Sequence, residues 1–128
     1  MPGAEDPTKS QGIGGRHKNI LQSADAFLVV VRTFTDPSVH NPAGSVDAGR
    51  DLSAILEELV FSDLVVMDRA VERHDNEVKK AKPAERQAMA RHLDAVNKAK
   101  SALETGLPLR QHELSPSEME FLSAYQLL

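Results

Sequence analysis

The 128-residue chain has no cysteine and no tryptophan, a single tyrosine and four phenylalanines. Without cysteine there can be no disulfide, no zinc-thiolate site and no thiol nucleophile. That usage agrees with a reducing compartment, and the expected location is cytoplasmic. Aromatic residues make up 4% of the chain. A core drawn instead from Leu, Val, Ala and Met suits helices better than a β-sandwich. Long apolar runs are missing too. The longest, Ala26–Val31, falls far short of the roughly 18–20 residues that cross a bilayer, so no membrane partner is expected. The opening stretch Met1–Gly15 is polar and glycine-rich and lacks the apolar centre of a secretory signal. An excess of positive charge is also lacking. The net charge of −4 gives no general pull toward nucleic acid, and no element specific for DNA is visible.

What charge there is lies unevenly. Between Glu77 and Lys100 stand seven basic residues (Lys79, Lys80, Lys82, Arg86, Arg91, Lys98 and Lys100) and three acids (Glu77, Glu85 and Asp94). This stretch is therefore +4 and the rest of the chain −8. Such asymmetry marks either an interaction end or a solvated helical face. The group Lys79, Lys80, Lys82, Arg86 and Arg91 is a candidate contact for RNA or a protein partner. No aromatic residue is interleaved with it, which argues against sequence-specific readout of single strands and leaves contact by shape and charge.

The apolar pattern predicts mainly helix. Val60, Leu64, Met67, Val71, His74 and Val78 recur at steps of four and three, with Leu52, Leu56 and Leu59 broadening the stripe. That is the seam of a coiled coil. Asp47 or Asp51 caps its start, and Pro83 interrupts it and fits the first turn of a second helix. Met89, Leu93, Val96, Lys100 and Leu103 continue the rhythm until Gly106 and Pro108 stop it. Two such helices joined by a short link fold back as an antiparallel hairpin. About 30 residues at about 1.5 Å each make the first helix roughly 45 Å long, with the basic cluster at the distal turn. Ser115, Pro116 and Glu118 form a capping box for a shorter helix. Lys18–Ser23 reads as another short helix. Ala26–Val31 is apolar on both faces and predicts a buried parallel strand, extending over residues 26–34. A single strand cannot satisfy its own backbone, so this one implies missing neighbours. The apolar end Leu127-Leu128 is expected to be exposed unless something covers it.

Catalytic patterns are incomplete. Gly12-Ile13-Gly14-Gly15-Arg16-His17-Lys18 looks toward a phosphate loop, yet G-x-x-x-x-G-K-[ST] is not matched, and Asn19 stands where Ser or Thr should. The five histidines, His17, His40, His74, His92 and His112, include no pair at i, i+4, so metal binding is not expected. His74 falls on the seam and reads as a structural histidine. Glu57, Glu58 and Asp63 read as solvated helical carboxylates. No serine occupies a nucleophile elbow.

The order of several short stretches resembles the Obg-like ATPases, the YchF-type branch of P-loop GTPases. They are Pro2-Gly3-Ala4, Gly12-Ile13-Gly14, Ala24-Asp25-Ala26, Val30-Val31-Arg32-Thr33-Phe34, Gly44-Ser45-Val46-Asp47 with Arg50-Asp51, Gly106-Leu107-Pro108-Leu109-Arg110 and Gln126-Leu127-Leu128. The stretches Ala4–Gln11 and Gly15–Lys18 depart from the family's wording. The resemblance implies a helical coiled-coil domain inserted into a nucleotide-binding G domain. Residues 1–46 would then be a partial G-domain segment, 47–106 the hairpin, and 107–128 a loop and short helix returning to the G domain. It implies Mg with ATP or GTP in a full-length parent, nucleotide hydrolysis and ribosome association, with no cofactor held by this chain. Gly12 and Gly14 would be glycines of the switch II loop. The fold expected is mainly α: a long antiparallel two-helix coiled-coil hairpin, a third short helix, and one strand left over from an incomplete α/β P-loop G domain. The function expected is that of a piece of a P-loop NTPase lacking phosphate and base recognition. The alternative is a free-standing helical module that binds RNA, the ribosome or a protein through its basic tip.

Overall fold

A computed structural model describes Ile13 and residues 15–128. Gly12, Gly14 and the stretch Met1–Gln11 lie outside the described residues, and with them the switch II reading. Four helices follow in order: α1 (Gly15–Gln22), α2 (Ala48–Lys80), α3 (Pro83–Glu104) and α4 (Pro116–Ser123), with a single 3-10 turn at Leu109–Gln111.

The boundaries have local causes. Asp47 is the N-cap of α2, and its carboxylate accepts from the Arg50 N–H at 2.9 Å. Asp51 in the first turn and Lys79 and Lys80 in the last suit the helix dipole. Pro83 then opens α3 at a position that needs no amide proton. Gly106, at φ 84°, turns the chain out of α3 in a conformation other residues resist. At α4, Ser115 Oγ accepts from the Glu118 N–H while the Glu118 carboxylate accepts from the Ser115 N–H, so the capping box is complete.

Helices α2 and α3 are joined by only Ala81 and Lys82 and pack against each other antiparallel. Residue pairs meet in reverse order: Lys100 with Asp68 and His92 with His74. The core is Val60, Met67 and Ala70 of α2, Val96, Ala99 and Leu103 of α3, and Leu122 of α4. Met67, Val96 and Ala99 have no exposed surface. Each predicted stripe position except Leu52, which is exposed, is buried or half-buried. Ala95 and Ala99, absent from the predicted stripe, are buried as well and carry α3 close against α2.

Two expectations are corrected. None of the described residues lies in a strand, and residues 26–34 have no regular secondary structure. An isolated strand has no ladder partner for its amides and carbonyls, so apolar pattern alone cannot make one. These residues stay open to solvent, Leu28 at 91% and Val30 at 82% exposure. The second correction is the C-terminal end. Leu127 packs against the core, and the Leu128 N–H donates to Asp63 Oδ1 at 2.8 Å, so the end is half-buried against α2.

This packing sets a contrast that denaturation can measure. Met67→Ala should lower unfolding stability by about 2–5 kcal/mol, because it removes a fully enclosed side chain. Phe61→Ala, on the same helix but largely exposed, should change it by less than about 0.5 kcal/mol. Equal shifts of the urea midpoint in the two variants would contradict the core described here.

Candidate nucleic-acid interface

The link between α2 and α3 gathers Lys79, Lys80, Lys82 and Arg86 at one end of the hairpin. All four are exposed. Lys79 is held by Asp75 one turn back on α2. Arg86 reaches across the link to the Ala81 carbonyl at 3.3 Å, closing the turn. Arg91 is exposed but stands more than a helical turn beyond Arg86 along α3. The cluster at the turn is thus four residues, with Arg91 on its flank.

Beside the turn an open groove of about 570 Å³ runs between α2 and α3. Arg73, Asn76, Glu77 and Lys80 line it from α2, Glu85 and His92 from α3, with Met89 at its apolar side.

Behind the groove lies a polar junction that sequence spacing did not disclose. His74 is buried, at 5% exposure. Its Nδ1 lies 2.7 Å from Glu77 Oε2 and its Nε2 lies 2.5 Å from the Tyr125 hydroxyl. Arg73 Nη2 donates to that same hydroxyl at 2.8 Å. Donor inventory orders this network for a neutral ring. Arginine can only donate, so the tyrosine oxygen accepts from it and gives its own proton to His74 Nε2. The Nδ1–H of His74 then donates to Glu77. The aromatic rings pack around it: His92 stacks on Phe121 with centroids 4.4 Å apart and planes 10° apart. Phe121 and Tyr125 come from α4 and the residues just after it, which is why no linear pattern reveals the cluster. The structural reading of His74 holds.

Asp63 departs from the reading as a solvated carboxylate. It is 3% exposed, and burial pushes its carboxyl up to about 6 from an ordinary 3.8, against the opposing pull of the Leu128 N–H and the charge of Lys18. Glu58, by contrast, is half-buried and accepts from the Ile13 N–H at 2.7 Å. Among the described residues no group of three or more His, Asp or Glu side chains could hold a metal ion. None of the described helices is long and apolar enough to cross a membrane.

The residues that carried the family resemblance act as loop staples. The Arg32 guanidinium donates to the carbonyls of Phe34, Asp36 and Val39 at 2.9, 2.7 and 3.0 Å, wrapping the loop around itself. Arg50 donates to the Ser45 carbonyl and hydroxyl at 2.8 Å each and pairs with Asp51. These contacts set the path of the chain into α2.

Comparison with known proteins gives the same answer as those residues. No protein-family profile matches the chain. It is 26% identical over 121 residues to the ribosome-binding ATPase YchF of Bacillus subtilis, covering 94% of this chain and 32% of the relative. It is 28% identical over 119 residues to Obg-like ATPase 1 of Saccharomyces cerevisiae, covering 92% of this chain and 30% of that one. Its fold matches the Schizosaccharomyces pombe YchF GTPase with a TM-score of 0.83 at 27% identity, over 99% of this chain and 33% of the other. The chain spans about a third of the length of the relatives it matches.

Two outcomes test the buried groups. The fold favours the neutral form of Asp63, so its contribution is most favourable below pH 3.8 and declines as pH rises through about 6. Above that the folded state carries a penalty on the order of 3 kcal/mol. Asp63→Asn keeps an acceptor for the Leu128 N–H. It should be more stable than the parent at pH 7.5, by about 1–3 kcal/mol, with the gap closing toward pH 4. Urea unfolding at four pH values reads this, and a constant gap would refute it. Tyr125→Phe leaves His74 Nε2 and Arg73 without their shared partner, and should cost about 1–3 kcal/mol in the same assay.

Proposed function

We propose that this chain, kin to the YchF-type Obg-like ATPases along nearly all its length, serves as the helical arm of a nucleotide-driven, ribosome-associated P-loop NTPase. The observation that carries the reading is the polarity of the hairpin. One end gathers Lys79, Lys80, Lys82 and Arg86. The other, the first half of α2 with the segment leading into it, exposes Phe27, Leu28, Val30, Phe34, Leu52 and Phe61. Exposed apolar surface of this kind calls for a covering partner. We assign that role to the strands of a G domain, against which residues 26–34 would pair and gain the ladder they lack here. The sequence holds neither G-x-x-x-x-G-K-[ST] nor N-x-x-[DE]. Magnesium, ATP or GTP and their hydrolysis therefore belong to that G domain and not to these residues.

In this reading α2 and α3 act as a coiled-coil lever, residues 47–106, flanked by G-domain segments 1–46 and 107–128. The basic end meets ribosomal RNA through its phosphates. A second reading rests on one observation: the core formed by α2, α3 and α4 is closed by Leu122 and Leu127 of this same chain. That favours an independently folding helical module that binds the same RNA through the same end.

Both readings place RNA at the tip, and the test is direct. Replacing Lys80, Lys82 and Arg86 together by Glu should weaken binding to ribosomal RNA at least tenfold and flatten its salt dependence by about three charges' worth of slope. Unchanged affinity would remove the tip from the interface. Calorimetric titration of the chain with ATP and GTP should give no micromolar binding. A cooperative thermal transition for the 128-residue chain would favour the independent module.

A further inference from the structure

The groove beside the basic turn has a feature that charge alone does not require. His92 is stacked on Phe121, and His92 lines the groove while Phe121 does not. The stack therefore presents its histidine end to the opening. His74 leaves that end clear. Its centroid is 5.9 Å from His92 and 5.6 Å from Phe121, almost equidistant, so it stands beside the stacked pair and not over it. A flat group entering the groove would extend the stack by one layer on the outer face of His92.

The polar groups lining the same groove have a consistent chemistry. Asn76 of α2 and Glu85 of α3 line the same groove. An amide offers a donor and an acceptor in one plane, and a carboxylate offers two acceptors. Glu77, the other acid in the groove, already receives His74 and lies near Arg73. Lys80 lines the groove as well, with exposed Lys82 and Arg86 on the adjoining link and first turn of α3. The arrangement joins positive charge to a stacking face and hydrogen-bond acceptors in one groove. A volume of about 570 Å³ lies within the range of small-ligand sites.

We infer that this groove is a binding site for one unpaired, flipped-out RNA nucleotide, its base stacked on His92 and its phosphates held by Lys80, Lys82 and Arg86. The carboxylate makes the site selective. Guanine presents two adjacent N–H donors, N1–H and the N2 amino group, to a single carboxylate, whereas uracil presents acceptors on both sides of its one N–H. Guanine is therefore the favoured base and uracil the disfavoured one. Stacking on an aromatic face accepts any base, so selectivity rests on Glu85 and Asn76. The inference deepens the RNA reading above and depends on it.

Fluorescence anisotropy with the full 128-residue chain separates the two. The probes are a labelled oligouridine, the same oligomer with one central guanosine, and an RNA duplex. The single-guanosine strand should bind at least fivefold more tightly than oligouridine. Glu85→Gln and Asn76→Ala should each erase most of that preference, bringing the affinities of the single-guanosine strand and oligouridine together. His92→Ala should weaken both single strands, and His92→Phe, which keeps a stacking face, should restore them. Glu85 and Asn76 are exposed, so their variants test the site even where His92→Ala unfolds. Equal affinity for all three probes, unaltered by these variants, overturns the nucleotide site and leaves the charge-based RNA contact standing. Failure to bind any RNA overturns both. Perturbation of His92 NMR signals by a phenylalanine-containing peptide and by none of the RNAs would make the groove a protein-docking site and also overturn the inference.

Discussion

Everything else in this structure depends on how closely α3 can approach α2. The facing surfaces both mix large and small side chains: α2 contributes Val60, Met67 and Ala70, α3 contributes Ala95, Val96, Ala99 and Leu103. Small side chains on one helix let larger ones on the other fill the space between, and packed helices then lie about 8–10 Å apart. Met67 is enclosed completely as a result. A thioether chain adapts to such a gap better than a branched residue does. With only Ala81 and Lys82 between the helices, this one register fixes which residues meet at the far end. The groove walls, Asn76 and Lys80 on one side and Glu85 and His92 on the other, face each other because Met67 and Ala99 do so several turns away.

The polar junction adds a second constraint, on direction. Apolar contacts would allow α4 to slide along the hairpin. Hydrogen bonds from Tyr125 to His74 and Arg73 do not, since they need particular atoms at particular separations. The Lys98–Glu118 pair does the same on the exposed side; the hydrogen bond from Lys98 is the main reason the Glu118 carboxyl lies below its usual range. Buried polar groups that are fully matched specify one arrangement, and partial matching is costly. Here Arg73 and Glu77 belong to the groove and to the junction at once. Whatever displaces them on the open side must also disturb Tyr125 on the other.

The helices were legible in the sequence because their signals are local. Asp47, Pro83, Gly106 and the Ser115–Glu118 box each act within a turn of their own position, and the stripe from Val60 to Val78 repeats often enough to outvote exceptions. What the sequence hid depends on contacts between distant positions. Asp63 looks like any helical acid until Leu128, 65 residues later, folds over it. His92 and Phe121 are ordinary alone and form a stack only once α4 docks. The run Ala26–Val31 fails in the opposite sense: its apolar composition predicts a strand that the structure does not form, because a strand is a property of a sheet and not of a segment. Charge counts group five basic residues; four of them stand at the turn and Arg91 stands further along α3.

These pieces together limit how the two ends of the hairpin can influence each other. Helix α2 has 33 residues, about 50 Å at about 1.5 Å per residue. Charges are screened over about 8 Å at physiological ionic strength. The basic turn therefore exerts no electrostatic effect on the apolar end, and the acids near α2's start do not soften the field that RNA would meet at the tip. Communication along the arm has to be mechanical. It must travel through the Met67–Ala99 packing or through the Arg73–Tyr125 junction, which carries displacement at the groove into α4 and the residues that cover Asp63. That second route is the shorter. It passes from a groove wall to the chain's return path in two hydrogen bonds, and the return path ends against the helix segment beside the exposed apolar surface. Under the arm reading proposed above, a displacement at the tip would reach whatever covers the base through these contacts, with no change in the charge of either end.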